Sequence, residues 1–388
     1  MTNLTLEHRF IIPDVAAVSA RADGLDGRAV LAAATAGEKV SVAQALALLR
    51  DTEVSTDEIY SAAVGLLSAR RPALHTFVPL YTANHCASDC KMCGMRRSNT
   101  AMVREFAGKR QIEDQLDILL HHEQVRGVGF LTGEYDDEYT RLANAFRIGW
   151  AIRTAIDMGF ERVYFNIGSL TAAEIDVLSD WIEPDEPVTM CVFQETYDRG
   201  TYARFMGDAD GAPKGDYDRR VSSFDRWLDA GHRWVNPGVL IGLHDVESEL
   251  VSLVSHVRHL EARGAVVDIS LPRLRPAMAA SNRTRVTDEP YVRMMSVVAL
   301  SCPDQRLVLT NREDREFRDR VIDLCGVISP GSPDVAPYRR DGRLTNREES
   351  SQFLVAELSR PSEILRAITD GGREVALFGD AAQVPAGC

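Results

Sequence analysis

From His75 onward the chain alternates short apolar runs with amphipathic stretches, and this alternation restricts the fold more than any other feature. The runs fall at 76–82, 127–132, 162–167, 188–194, 236–242, 266–272, 306–310 and 327–329. Several are continuously apolar, as parallel strands covered on both faces must be. The stretches between them carry apolar residues at helical spacing: Ile112, Leu116, Leu119 and Leu120, then Leu142, Phe146 and Trp150, then Leu250, Leu253, Val254 and Val257. Eight such units in 388 residues predict an α/β chain with a closed (β/α)8 barrel over 73–370. An open doubly wound sheet satisfies the same alternation, but length and strand count favour the barrel. In a barrel, chemistry belongs at the C-terminal ends of the strands and in the loops after them.

Residues 1–72 read as a helical extension set apart from the barrel. Ser41 to Gln44 and Ser55 to Glu58 have the spacing of capping boxes, and each precedes an apolar helical run. Arg70-Arg71-Pro72 ends the second run. At the other end, 371–388 reads as a flexible tail.

A net charge of −13 argues against a nucleic-acid partner, which needs a basic face. The first residues lack the basic start and apolar run of a signal peptide. There is also no unbroken apolar stretch of about 20 residues, so no membrane span is expected. The expectation is a soluble, cytoplasmic protein. The seven cysteines are an odd number and three crowd into one short segment, which is not the pattern of a disulfide framework. Cys191, Cys302, Cys325 and Cys388 are scattered and read as buried small hydrophobes or, for the last, a tail thiol.

The crowded three are Cys86, Cys90 and Cys93, directly after the first barrel strand. Their spacing lets one loop present three thiolates to one face of a compact cluster. A four-iron cluster has four corners to ligate, so three cysteines leave one iron open. Structural zinc would need a fourth local ligand, and His85 adjoins Cys86 too closely to serve. Zinc in a binding protein stays a distant alternative. An NAD(P) enzyme is disfavoured, because no G-x-G-x-x-G follows a strand.

The loop Cys86, Cys90, Cys93 resembles that of the radical S-adenosylmethionine (SAM) superfamily. The resemblance implies a [4Fe-4S] cluster on these residues, SAM on the open iron, and reductive cleavage to a 5′-deoxyadenosyl radical. Met92 departs from the usual aromatic residue before the last cysteine, though a soft apolar side chain can still shield a cluster. Thr132-Gly133-Glu134 resembles the element that receives the SAM amino group, and its alternative is an ordinary turn. Gly238-Val-Leu-Ile-Gly242 resembles the glycine-flanked strand near the adenine. Asn166 and Ser169 could reach ribose or carboxylate, or simply form a turn. Gln194 and Arg204 are further candidates for SAM contacts.

Phe193-Gln-Glu-Thr-Tyr197, Leu271-Pro-Arg-Leu-Arg-Pro276 and Leu309-Thr-Asn-Arg-Glu313 resemble markers of the aromatic amino acid lyase branch of that superfamily. Over roughly residues 70–358 the strings LHTFVPLYTANHC, GVGFLTGEYDDE, RVYFNIGS, VTMCVFQETYDR and GVISPGSPDVAPY resemble the tryptophan lyases that make 3-methyl-2-indolic acid for thiopeptide antibiotics. That likeness implies L-tryptophan as substrate, hydrogen abstraction from its amino group, cleavage at Cα and carboxyl migration to indole C2. Arg312, after the seventh strand, is then the carboxylate anchor; by composition alone it would be one charge in an exposed Arg/Glu run. Ser329 could donate to the same carboxylate or be a turn serine, and Tyr81 could wall the pocket or belong to the core. A tyrosine lyase is the alternative within the branch. The hydrogenase-maturation tyrosine lyase carries a second, C-terminal cluster, for which this chain offers no close cysteine pair after Ser301.

Lys91, Arg96, Arg97, Arg104, Lys109 and Arg110 gather around the cysteine loop of an otherwise acidic chain. Such a basic rim could steer an acidic flavodoxin or ferredoxin reductant, or be a solvated loop.

Overall fold

The computed structural model describes residues 9–70, 73–207, 212–278, 280 and 286–379. Its strands are β1 (Leu74–Thr76), β2 (Val78–Tyr81), β3 (Gly127–Leu131), β4 (Arg162–Asn166), β5 (Val188–Glu195), β6 (Trp234–Val239), β7 (Val266–Ser270), β8 (Arg306–Thr310), β9 (Cys325–Ser329) and β10 (Val375–Ala376). All named strand pairs are parallel. The ring closes through 74–81, a single run interrupted at Phe77: β1 pairs with β9 while β2 pairs with β3. The eight predicted runs are therefore the eight staves of a (β/α)8 barrel.

Side chains fill the barrel rather than leaving a pore. Phe77 stacks on Tyr164 with ring centres 3.8 Å apart, in a cluster with Cys191, Val308 and Val327. Below them Asp268, fully buried, accepts hydrogen bonds from Arg306 Nε and the Tyr164 hydroxyl, both at 2.7 Å. A buried carboxylate needs such partners to repay its lost hydration.

Three expectations about packing are corrected. The run 371–388 is not all tail: Val375–Ala376 joins the sheet beside β1, and Phe378 bridges to Val125. The break at Phe77 leaves one edge of β1 unpaired by β3, and β10 takes up those backbone groups. Residues 380–388, and 71–72 of the Arg-Arg-Pro stop, lie outside the described residues. On the helix Glu138–Met158, the inward face is Ala145, Ile148, Ala151, Ile152 and Ala155, whereas Phe146 is half exposed and packs edge-on against Trp181. Small residues face the sheet because the helix lies close to it.

The N-terminal helices α1 (Val15–Ala22), α2 (Gly27–Thr35), α3 (Val42–Arg50) and α4 (Thr56–Ser68) are not a separate unit. The expected capping boxes form at Ser41 and Ser55. However, Val30, Leu48, Ile59 and Leu67 join the barrel's own hydrophobic cluster, and Arg293 of helix Asp288–Ser301 donates to the carbonyls of Leu49 and Val54 at 2.8 and 2.7 Å. Helices of two or three turns cannot hold an isolated core and gain their stability from packing. Among the described residues no helix is long and apolar enough to cross a membrane.

Candidate active site

The loop after β2 carries the three cysteines to the mouth of the barrel, where all three line one cavity. Gly133, just past β3, is what lets the loop settle there. A Cβ at this position would collide with the His85 carbonyl and Cys86. The Glu134 amide donates to Cys86 Sγ at 3.4 Å, and the Ala87 amide to the Glu134 carbonyl at 2.7 Å. Burial pushes the Cys86 thiol up to about 11 and raises those of Cys90 and Cys93 as well. An iron centre would hold them as thiolates.

No three His, Cys, Asp or Glu side chains among the described residues converge as ligands of a single metal ion would. His85 is exposed. Three cysteines spread along one cavity wall fit the separate corners of an iron–sulfur cluster better than one zinc ion. Met92 is buried in the same wall and shields it.

Two buried ion pairs flank this end. Arg220 donates to Glu134 at 2.8 Å and to the Phe193 carbonyl at 2.7 Å, and Lys214 pairs with Glu195. Burial alone would raise the Glu195 carboxyl, but Lys214 and Arg220 outweigh it and hold it below the usual range. Gly168, with φ +96°, leaves room for the Glu134 side chain, which any Cβ there would strike.

Arg312, Ser329 and Tyr81 line the same cavity. Ser329 ends β9 and is buried. The Tyr81 hydroxyl donates to Gln352 Oε1 at 2.5 Å. Arg312 follows β8, and its guanidinium lies over the Phe353 ring. Its Nε is buried without a hydrogen-bond partner, and no carboxylate among the described residues pairs with it. Burial pulls this guanidinium down, offset only in part by Tyr81 and Glu195. A desolvated cation facing a cavity is a binding site for an anion.

The remaining expected contacts divide. Asn166 ends β4 and lines the cavity. Ser169 does not; its hydroxyl accepts from Arg219 Nε at 3.1 Å and serves the structure. Gln194 is turned out of the cavity, because strand alternation puts Cys191, Phe193 and Glu195 on the inner face. Glu195 takes the place expected of Gln194, in a left-handed backbone conformation with φ +67°. Arg204 is exposed on the helix Arg199–Met206, whose Tyr202 and Met206 face inward instead. Gly238 packs against Phe193 and Ser270 rather than the cavity.

Glu195, Lys214, Arg220, Gln352 and Phe353 were not singled out from sequence. Glu195 shares its face with Phe193 by simple alternation, and Lys214 is one of only four lysines. Nothing local marks Gln352 or Phe353.

The basic rim is smaller than expected. Arg104 donates inward to the carbonyls of Asn84, Met95 and Arg96, and Arg96 to that of Cys93. Lys91, Arg97, Lys109 and Arg110 remain exposed.

No family model matches the chain. It is 30% identical over 316 residues to 2-iminoacetate synthase of Escherichia coli (strain K12), spanning 76% of this chain and 75% of that protein. Identity to the Salmonella typhimurium 2-iminoacetate synthase is 28% over 320 residues. The crystal structure of HydG, a maturase of the [FeFe]-hydrogenase, superimposes with a TM-score of 0.81 at 27% identity, covering 96% of this chain and 81% of that one. Methylornithine synthase (PylB) shares the fold, with a TM-score of 0.69 at 15% identity over 89% of this chain and 97% of that one.

Proposed function

Because the chain belongs to the radical SAM aromatic amino acid lyases, the family of 2-iminoacetate synthase, we propose that its substrate is L-tryptophan and its product 3-methyl-2-indolic acid, a thiopeptide antibiotic building block. The cofactors are a [4Fe-4S] cluster, held by Cys86, Cys90 and Cys93, and SAM. When bound, they supply a 5′-deoxyadenosyl radical as the hydrogen-abstracting agent. The proposed reaction removes hydrogen from the tryptophan amino group, breaks a bond at Cα, moves the carboxyl fragment to indole C2 and releases the remaining Cα–N unit.

The observation that carries this reading is Arg312: a half-buried arginine whose Nε is buried without a partner and which pairs with no carboxylate among the described residues, on the wall of the cavity that holds the three cysteines. It would grip the substrate carboxylate bidentately and retain the migrating fragment, with Ser329 as a second donor. Phe77, Phe130, Tyr164 and Phe193 line the cavity and suit an aromatic ring. On the cluster side, Glu134 and Asn166 line the cavity and would receive SAM. Chemistry of this kind asks the protein for positioning and exclusion of water more than for proton transfer.

The likeness to 2-iminoacetate synthase favours one second reading, a tyrosine lyase. Anaerobic reconstitution with iron and sulfide, followed by SAM, dithionite and either amino acid, separates the two. Mass spectrometry should find 5′-deoxyadenosine and 3-methyl-2-indolic acid with tryptophan. Turnover of tyrosine alone would overturn the assignment.

A further inference from the structure

Arg312 shares its surroundings with two carboxylates. Glu195 lines the cavity with it. Glu313, next in the chain, lines with it a small side cavity walled by Phe193, Ser270, Tyr291 and Thr310. An arginine shut in with a carboxylate gains by pairing with it. Among the described residues neither pair forms, because each carboxylate is already taken. Lys214 holds Glu195, and Arg273 holds Glu313 through Nε at 2.9 Å and Nη2 at 2.5 Å.

Arg273 lies in the loop after β7, and it is itself fixed. Its Nη1 donates to the Asp288 carboxylate at 2.5 Å and to the Val286 carbonyl at 3.0 Å, and its guanidinium lies over the Phe317 ring. The Arg273 and Glu313 side chains are only 8% and 3% exposed. Arg273 is not among the residues that line the cavity of the three cysteines. Two positions on, Arg275 donates to the Arg312 carbonyl at 2.7 Å, while the Ala356 amide donates to the Asn311 carbonyl at 3.2 Å. These bonds pin the backbone at Arg312. The side chain is the part left to turn, toward the cavity or toward Glu313.

We propose that Arg273 is a positioning residue for amino acid binding: by occupying Glu313 it keeps that carboxylate off Arg312 and leaves the guanidinium open to the substrate carboxylate. Without Arg273, Glu313 would be an uncompensated buried charge beside an arginine, and the two would pair across the side cavity. An incoming carboxylate would then have to displace Glu313. The assignment rests on the proposed reading of Arg312 as carboxylate anchor, and not on the choice of tryptophan.

The test is titration calorimetry of the reconstituted, SAM-bound enzyme with L-tryptophan, or with L-tyrosine should tryptophan not bind. Reductant is left out, so no turnover intervenes. Arg273→Met should weaken binding by roughly 10- to 100-fold, the range of one charge-assisted contact. Adding Glu313→Gln to Arg273→Met removes the competing charge and should restore affinity to within about twofold of Glu313→Gln alone. The double variant still lacks the bonds to Asp288 and Val286, so its melting temperature should stay below that of the unaltered protein while its affinity recovers. A merely structural role would leave both impaired. Unchanged affinity in Arg273→Met, or a loss that Glu313→Gln does not recover, would overturn the proposal. Should Arg273→Met fail to fold, Arg273→Gln with and without Glu313→Gln decides by the same comparison. Arg312→Lys tells the two readings apart. If it binds the amino acid as the unaltered enzyme does, the anchor and this proposal fall together. If it weakens binding and Arg273→Met does not, only the proposal falls.

Discussion

The guanidinium of Arg312 lies 3.6 Å from the centre of the Phe353 ring. The two acidic residues that follow it are engaged elsewhere. Glu313 accepts from Arg273 Nε at 2.9 Å, and Asp314 caps the helix Arg315–Val321 through the Phe317 amide at 2.9 Å. Arg275 donates to the Arg312 carbonyl at 2.7 Å and fixes the backbone from which the side chain reaches. What reads as a surface charge run is sorted by the fold into structural pairs and one arginine that faces the cavity, its Nε buried without a partner.

Replacing Arg312 by Lys keeps the charge and loses the planar fork. A charge-assisted contact of about 1.5–3 kcal/mol corresponds to roughly 10- to 100-fold in affinity. The KM for tryptophan should rise within that range, and 3-methylindole-type by-products should grow relative to the rearranged acid. An unchanged product ratio by mass spectrometry would sink the anchoring role.

Gly133→Ala should push the cysteine loop away, since the new methyl meets the His85 carbonyl and Cys86. Overpacking of this kind costs about 1–3 kcal/mol. The variant should fold, with a lower melting temperature, yet retain little iron after reconstitution. Normal iron content and the normal charge-transfer absorbance would contradict it.

Burial raises the Glu249 carboxyl to about 7, although the Thr196 hydroxyl and Tyr197 amide donate to it. An unfolded glutamate ionises near pH 4.3. Between these values the folded state holds a proton that the unfolded state has released. Stability from this group is therefore fully present below about pH 4.3 and lost as pH rises through about 7, by roughly 4 kcal/mol. Glu249→Gln should flatten the fall in melting temperature across that window. Parallel curves for the two proteins would refute the assignment.

Charge reversal at the exposed Lys91, Arg97 and Arg110 should slow reduction by an acidic flavodoxin, and added salt should slow the unaltered enzyme in the same way. Stopped-flow rates indifferent to both would remove the docking idea. Charge reversal at Arg104 should damage the loop instead, because its guanidinium already binds three backbone carbonyls.

Strand positions were legible because burial on both faces writes a continuous apolar run into the sequence, and β8 occupies the predicted 306–310. The helical face of Glu138–Met158 was misread for the opposite reason. Close packing selects small residues, so Ala and Gly face inward while the large Phe146 stays half exposed. Gln194 and Glu195 are both polar in the sequence, and only the inward face of β5 distinguishes them.

By itself the sequence determined the barrel and the cysteine loop, since strand periodicity and ligand spacing are local and survive in one dimension; Arg312 stood out only through the family resemblance. Tertiary structure alone decided what surrounds them. It paired Lys214 with Glu195 and Arg220 with Glu134, left Arg312 Nε without a hydrogen-bond partner among the described residues, and set Gln352 against the Tyr81 hydroxyl. Those relations join residues far apart in the chain, and they exist only because the closed sheet brings every strand end to one mouth.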